Sequence, residues 1–310
     1  MNPVRISIVE YLNTAPLVRG FTHGSLRGKY DLSFTVPSQC AEAIRSGAVD
    51  VAIIPAIEYQ RIPDLVILPN LSIASKKSVR SLLLISKKPI QEVTRIALDR
   101  SSRSTQALTR ILCKELWHIQ PEFFEAAPDL PAMLQQADAA LLIGDPALRL
   151  AIACAPGASR NSSGDLVAPG SIAGLNGSGS LYIYDIVENW LAMTRLPAVL
   201  AVWAARREAV TPRLVQDFQD SLALGLEQVE AIASEAAFDM NLPAADLRRY
   251  LLENIDYHLD EENLRGLTVY YEFAAKLGLI PRVNTIALAP EAGGPARYLD
   301  VVLRGRGNSN

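Results

Sequence analysis

The chain has 310 residues, 49 % of them apolar and 20 % charged, an ordinary globular composition with enough length for two hydrophobic cores. A formal net charge of -3 offers no bulk basic surface for nucleic acid or an anionic membrane, so a small anion would have to be met by local donors. Cys40, Cys113 and Cys154 lie far apart with no C-x-x-C pair, which favours reduced thiols over a disulfide or metal framework; no metal and no cofactor is assigned. The N-terminus lacks the pattern of a secretion signal, and no run approaches the ~20 apolar residues of a membrane span, so a cytoplasmic location is expected.

Arg5 to Val9 alternate and are rich in β-branched residues, which predicts a strand, and Thr14 to Pro16 supply a cap and a φ-locked first turn for a helix. The loop between them carries Tyr11 and Asn13. In an open α/β sheet such a loop lies at the carboxyl end of a strand, where ligands bind against the free N–H groups of the helix start. Tyr30 to Val36 read as a second strand, and Pro37-Ser38 open a helix that turns Cys40, Ala41 and Ile44 inward and stops at Gly47. Val49 to Ile54 are apolar throughout, as a strand buried on both faces should be. Right-handed crossovers bring the corners of this β-α-β-α-β run, Tyr11 to Thr14, Pro37-Ser38 and Pro55-Ala56, to one edge of the sheet.

Ser81 to Ser86 form the next apolar strand, and Lys87-Lys88-Pro89 mark a crossing into a second domain. Arg95 to Leu98 begin again with a strand. After the polar loop Asp99 to Arg103 comes a helix with Ala107, Leu108, Ile111, Leu112 and Leu116 on one face. Ala139 to Ile143 give a further strand, ending in the corner Gly144-Asp145-Pro146. Residues 155 to 181 are rich in Gly and Ser, and no Lys-Ser/Thr follows Gly174, Gly177 and Gly179, so a mobile surface loop is expected rather than a phosphate loop. Tyr184 to Thr194 read as a helix and Leu196 to Ala204 as a strand returning to the first domain. Thr211 to Leu279 are helical by period, with Pro212 and Pro243 at helix starts and Gly278 as a stop, and the tail from Ala287 is expected to be loose. Two crossings make a hinged, two-lobed α/β architecture, with 1–87 plus 196–310 as lobe 1 and 88–195 as lobe 2.

Chemistry falls on the corner loops. Asn13 serves either its own turn or a ligand. Ser101, Ser102 and Ser104 can cap their helix, and the same N–H groups, the helix dipole and Arg103 favour an anion in front. A guanidinium pairs with a carboxylate bidentately, which singles out Arg103 against a surface salt bridge. Ser81 lies on the crossing strand, either facing solvent or near the cleft, and Asp145 either starts its helix or accepts a proton. His23, His118 and His258 share no ligand spacing, no G-x-S-x-G elbow occurs, and Trp117, Trp190 and Trp203 read as core.

The run YLNTAP (Tyr11 to Pro16) resembles the opening of the chorismate dehydratases of the futalosine route to menaquinone. Further segments agree with that family: DVAIIPAIEYQR (Asp50 to Arg61), SVRSLLLIS (Ser78 to Ser86), IALDRSSRSTQALTRILCKE (Ile96 to Glu115) and ALLIGDPALR (Ala140 to Arg149). The agreement continues through Tyr184 to Arg206 and Asp256 to Ile280, and covers most of residues 4 to 281. The resemblance implies a type II periplasmic-binding-protein-like fold with a hinged interdomain cleft. It implies a lyase that eliminates water from chorismate to give 3-[(1-carboxyvinyl)oxy]benzoate without a cofactor. The partner is then a small dicarboxylate, with no nucleic acid or membrane, in a monomer or homodimer.

On this resemblance Asn13, Ser81 and Asp145 are catalytic candidates. Tyr11, Thr14, Ser38, Pro55, Ser101, Ser102, Arg103, Ser104 and Gly144 are substrate-binding candidates. The proton acceptor stays open between Asp145 and a carboxylate of the substrate. A related 1,4-dihydroxy-6-naphthoate synthase and a non-catalytic solute-binding protein remain as alternatives. Glu10 departs from the family pattern and either points away or pairs with Arg19.

Overall fold

The computed structural model describes residues 3–169, 179–291, 294–295 and 297–299. The chain opens with β1 (Arg5–Val9), α1 (Ala15–Thr22), β2 (Asp31–Thr35), α2 (Pro37–Arg45), β3 (Val51–Pro55), the short α3 (Ala56–Tyr59) and β4 (Leu65–Ser75). The strands β1, β2 and β3 pair in parallel with β1 in the middle, as the alternation of strand and crossover helix requires. Every residue of β3 is buried, which explains its unbroken apolar run.

A second sheet repeats the plan with β5 (Leu82–Ser86), β6 (Arg95–Asp99), α4 (Ser104–Glu115), β7 (Glu122–Ala126), α5 (Leu130–Gln136), β8 (Ala139–Ile143) and α6 (Gly144–Cys154). Here β6 pairs in parallel with β7 and β8. After β9 (Ser159–Arg160), β10 (Leu166–Pro169), β11 (Ser180–Asp185) and α7 (Ile186–Thr194), the chain returns as β12 (Ala198–Arg206). Helices α8 (Pro212–Glu227), α9 (Val229–Met240), α10 (Ala244–Arg249) and α11 (Glu261–Lys276) and strands β13 (Ile286–Leu288) and β14 (Arg297–Leu299) complete it. The strand orders are β14-β13-β4-β12-β3-β1-β2 and β7-β6-β8-β5-β11-β10-β9. In each sheet the parallel trio is flanked by an antiparallel strand that has just crossed over, β12 beside β3 and β5 beside β8.

Several sequence expectations need correction. Because β5 pairs with β8 and β11, it belongs to the second sheet, and the first crossing runs through residues 76–81 rather than after Ser86. Leu65–Ser75 is a strand that the hydrophobic period leaves unassigned. It is buried on both sides, carries Pro69 and a left-handed Asn70 (φ 60°), and shifts register against β12, so neither a clean alternation nor an unbroken apolar run survives. The Gly- and Ser-rich region is only partly loop. Its two ends form β9, β10 and the start of β11 by pairing onto the edge of the second sheet, while residues 170–178 lie outside the described ones. Tyr184 and Asp185 end β11 rather than opening a helix. Ile255 to Asp260 interrupt the helical region, with Asp256 bridging to Ala74. Ala287 is not loose, since its N–H is donated to the Tyr59 hydroxyl at 2.8 Å within β13.

The C-terminal helices close the first sheet. Phe21, Phe218 and Trp203 stack edge to face with centroids 4.8 Å apart in each of the two pairs. Fully burying side chains of this size contributes about 1.5–3 kcal/mol each. Helix α8 can lie directly on α1 because Gly225 has no side chain; a Cβ there would stand 1.9 Å from the Pro16 carbonyl oxygen. Trp190 and Trp203 are fully buried core, and Trp117 packs edge-on to Tyr184 at 5.8 Å.

The first crossing is fastened to the second lobe by one carboxylate. Asp185 caps α7 by accepting from the N–H groups of Val187 (2.9 Å) and Glu188 (3.0 Å), and also accepts from the N–H of Arg80 on the first crossing at 2.6 Å. Burial pushes its carboxyl up to about 6.

Candidate functional site

The carboxyl ends of β1, β2 and β3 face those of β6 and β8 across the gap between the sheets, and each feeds a corner loop into a helix. Between them lies a narrow cavity of about 50 Å³. Tyr11, Asn13 and Pro55 line it from the first lobe, and Ser102, Arg103, Ser104 and Gly144 from the second. A 3₁₀ turn over Leu12–Thr14 turns the Asn13 side chain inward, where it is nearly buried. On the opposite side α4 begins at Ser104 with no side-chain cap, so among the described residues the first N–H groups of a twelve-residue helix have no capping side chain beside the cavity, with Ser102 and Thr105 next to them.

The lobes stand closed on this space. Tyr11 packs its ring on Gly144, whose left-handed backbone (φ 64°) and missing side chain both suit the contact. The N–H of Ile57 is donated to Ser104 Oγ at 3.2 Å, that of Ser38 to the Ser101 carbonyl at 3.1 Å, and the Tyr270 hydroxyl to the Ser104 carbonyl at 3.1 Å. The guanidinium of Arg103 donates to Glu42 at 3.1 Å and stands 3.7 Å from Glu58, both in the first lobe. A ligand larger than a few waters must therefore part the lobes to reach the cavity.

The remaining sequence candidates stand behind the lining. Thr14 is buried and donates to Asn13 Oδ1 at 3.3 Å. Ser38 meets the second lobe through its backbone N–H. Ser101 donates to Asp99 Oδ1 at 2.7 Å, with its N–H on the same oxygen at 2.9 Å and the Tyr11 hydroxyl 3.5 Å away. Burial pushes the Asp99 carboxyl up, against those donors. Asp145 accepts the N–H of Leu12 at 3.0 Å, so its carboxylate fastens the first corner to the second lobe; it lines a separate groove beside α1 and α9. Burial raises its carboxyl too, opposed by that N–H. Glu10 is exposed, and Arg19 pairs with Glu235 at 2.8 Å instead.

Ser81 is fully buried and bonded by a residue that sequence reasoning does not single out. The Tyr250 hydroxyl donates to Ser81 Oγ at 2.8 Å. Tyr250 opens a single turn of π-helix, Tyr250–Asn254, a geometry that amphipathic patterning does not signal. Burial holds its hydroxyl far above the ordinary phenol range, so it remains a neutral donor.

The three histidines are exposed, and among the described residues no cluster of three or more His, Cys, Asp or Glu is placed to hold a metal. Cys40, Cys113 and Cys154 are buried free thiols, pushed up by burial to about 11, 12 and 11. No helix among the described residues is long and apolar enough to cross a membrane.

Comparison with known proteins places this geometry in context. A family model described as menaquinone biosynthesis matches residues 4–276. The chorismate dehydratase of Thermus thermophilus is 30 % identical over 282 residues, covering 90 % of this chain and 97 % of that protein. Among solved structures, a protein of Archaeoglobus fulgidus superposes with a TM-score of 0.67 at 19 % identity, over 89 % of this chain and 98 % of that one. The periplasmic aliphatic sulphonate binding protein SsuA of Escherichia coli superposes with a TM-score of 0.57 at 17 % identity, over 99 % and 97 %. The fold is thus that of the periplasmic binding proteins, two α/β lobes around a cleft.

Proposed function

The chain belongs to the menaquinone-biosynthesis family, and from that premise we propose that it is a carbon–oxygen lyase that dehydrates chorismate to 3-[(1-carboxyvinyl)oxy]benzoate. The observation that carries this reading is the lining of the interlobe cavity. It offers the N–H groups of the α4 start, the Ser102 hydroxyl, the Asn13 amide and the Arg103 guanidinium, and no carboxylate side chain among the described residues. That suits a dicarboxylate. The helix start and Arg103, once it exchanges Glu42 for the ligand, take one carboxylate. Asn13 and the neighbouring Ser81 orient the ring and its hydroxyl.

The elimination breaks the C–H bond beside the enolpyruvyl ether and the adjacent C–OH bond, and the ring becomes aromatic. Aromatisation supplies the driving force, so positioning and one proton transfer suffice. Neither Asp145 nor Asp99 lines the cavity: Asp145 Oδ1 accepts the Leu12 N–H and Asp99 Oδ1 holds Ser101. The second carboxylate of chorismate therefore takes the proton. Closure of the lobes over the substrate excludes water.

Incubation of the purified protein with chorismate, with chromatographic identification of the product, tests this. Enzyme-dependent formation of the enolpyruvyl benzoate is expected. Chorismate that raises the melting temperature but is recovered unchanged overturns the lyase reading in favour of a solute-binding protein, the role for which the Escherichia coli neighbour is named.

A further inference from the structure

Tyr250 stands where three parts of the chain come together, and the first crossing is held to its turn a second time by Asn254 Nδ2, which donates to the Ser78 carbonyl at 2.7 Å. Its own π turn follows α10, and its hydroxyl reaches Ser81 at the end of the first crossing. Asn13 lines the cavity, and Ser81 adjoins it twice: Leu82, the next residue, is part of the lining, and the Ser81 carbonyl accepts the N–H of Gly144 at 2.8 Å. Tyr250 is 1 % exposed, so its hydroxyl is shielded from bulk water. A serine hydroxyl that accepts a hydrogen bond from a buried phenol keeps its own hydrogen free, and the direction of that hydrogen is restricted by the bond already made.

Resting on the dehydratase reading above, we propose that Tyr250 is a positioning residue that, through its hydrogen bond to Ser81 Oγ, aims the Ser81 hydroxyl at the oxygen leaving chorismate. The C–H bond beside the ether breaks and its proton passes to the substrate carboxylate. The electron pair left behind forms the new ring double bond as the C–O bond breaks. Ser81 donates a hydrogen bond to the departing oxygen, and the proton held by the carboxylate completes the water, so no other reactant is consumed. Charge on that oxygen grows only as the bond breaks, and a donor fixed in advance lowers the barrier without tightening substrate binding.

The test is a double-mutant cycle on wild type, Tyr250→Phe, Ser81→Ala and the double variant, with kcat and KM for chorismate and the melting temperature of each. Phe keeps the ring and removes only the hydroxyl. The role predicts a kcat ten- to a hundredfold lower in Tyr250→Phe with KM within twofold, and no further loss when the same change is made in Ser81→Ala. An unchanged kcat, or an equal fractional loss in both backgrounds, overturns it while leaving the dehydratase reading intact. If Tyr250→Phe does not fold, Ser81→Ala alone decides: the role requires at least a tenfold loss of kcat at unchanged KM, and a normal kcat overturns it. Wild type that does not convert chorismate overturns the dehydratase reading and this role together.

Discussion

The ring of Tyr11 lies so close to Gly144 that a Cβ added there would stand 2.7 Å from its carbons. One residue belongs to the first corner of lobe 1 and the other to the start of α6 in lobe 2, so the closed form depends on a missing methyl group.

Gly144→Ala should therefore oppose closure. It meets the Tyr11 ring and also has to adopt φ 64°, a left-handed conformation costing a non-glycine residue roughly 1–2 kcal/mol. The expected result is a KM for chorismate at least tenfold higher, with the variant still folded. Partial recovery in Gly144→Ala combined with Tyr11→Leu would identify the clash as the cause. A normal KM for Gly144→Ala would mean that the closed form is not the one that holds substrate.

Arg103 offers a separation between binding and stability. Its pair with Glu42 has about a third of the Arg103 side chain and half of the Glu42 side chain exposed, and such pairs contribute about 0–1 kcal/mol. Arg103→Gln should raise KM at least tenfold while shifting the melting temperature by no more than about 2 °C. Glu42→Gln is the control: it frees the guanidinium for the substrate and should leave KM unchanged or lower it. A rise in KM as large as that of Arg103→Gln would assign Arg103 to closing the lobes instead.

The carboxylate of Asp185 makes a prediction with a definite sign. Folding raises Asp185 from an ordinary 3.8 to about 6, because burial disfavours its charge more than three N–H donors favour it. A carboxyl raised in the folded state contributes stability that is fully present below pH ~4 and is lost as pH rises through about 6. The stability of wild type relative to Asp185→Asn should thus fall between pH 4 and pH 7, by up to about 3 kcal/mol. Denaturant melts at the two pH values measure it, and a difference that grows toward pH 7 would contradict the assignment.

Much of this architecture is legible in the sequence because both sheets begin with parallel strands whose local pattern agrees with their burial. Arg5–Val9, Arg95–Asp99 and Ala139–Ile143 sit where alternation or continuous apolarity puts them, and the corner loops follow from the Pro, Ser and Gly residues after them. Tertiary pairing decides the rest. Ser81 to Ser86 read from sequence as the last strand of lobe 1, and only the pairing with β8 shows that they open the second sheet. Asp145 is visible as a corner residue, but its engagement with Leu12 crosses 133 residues of chain. Tyr250 is hidden more thoroughly, at the start of a π turn that helical patterning does not mark and from which it bonds Ser81.

The central claim is that chorismate is dehydrated in the interlobe cavity, with Asn13 as a contact from the first corner. The most direct measurement is the rate of loss of the chorismate diene absorbance with wild type and Asn13→Ala side by side, each checked for a folded melting transition. The account predicts enzyme-dependent loss with wild type and a turnover at least a hundredfold lower in the folded variant. Equal rates in the two proteins would contradict it, because the chemistry would then lie somewhere other than the cavity that Asn13 lines.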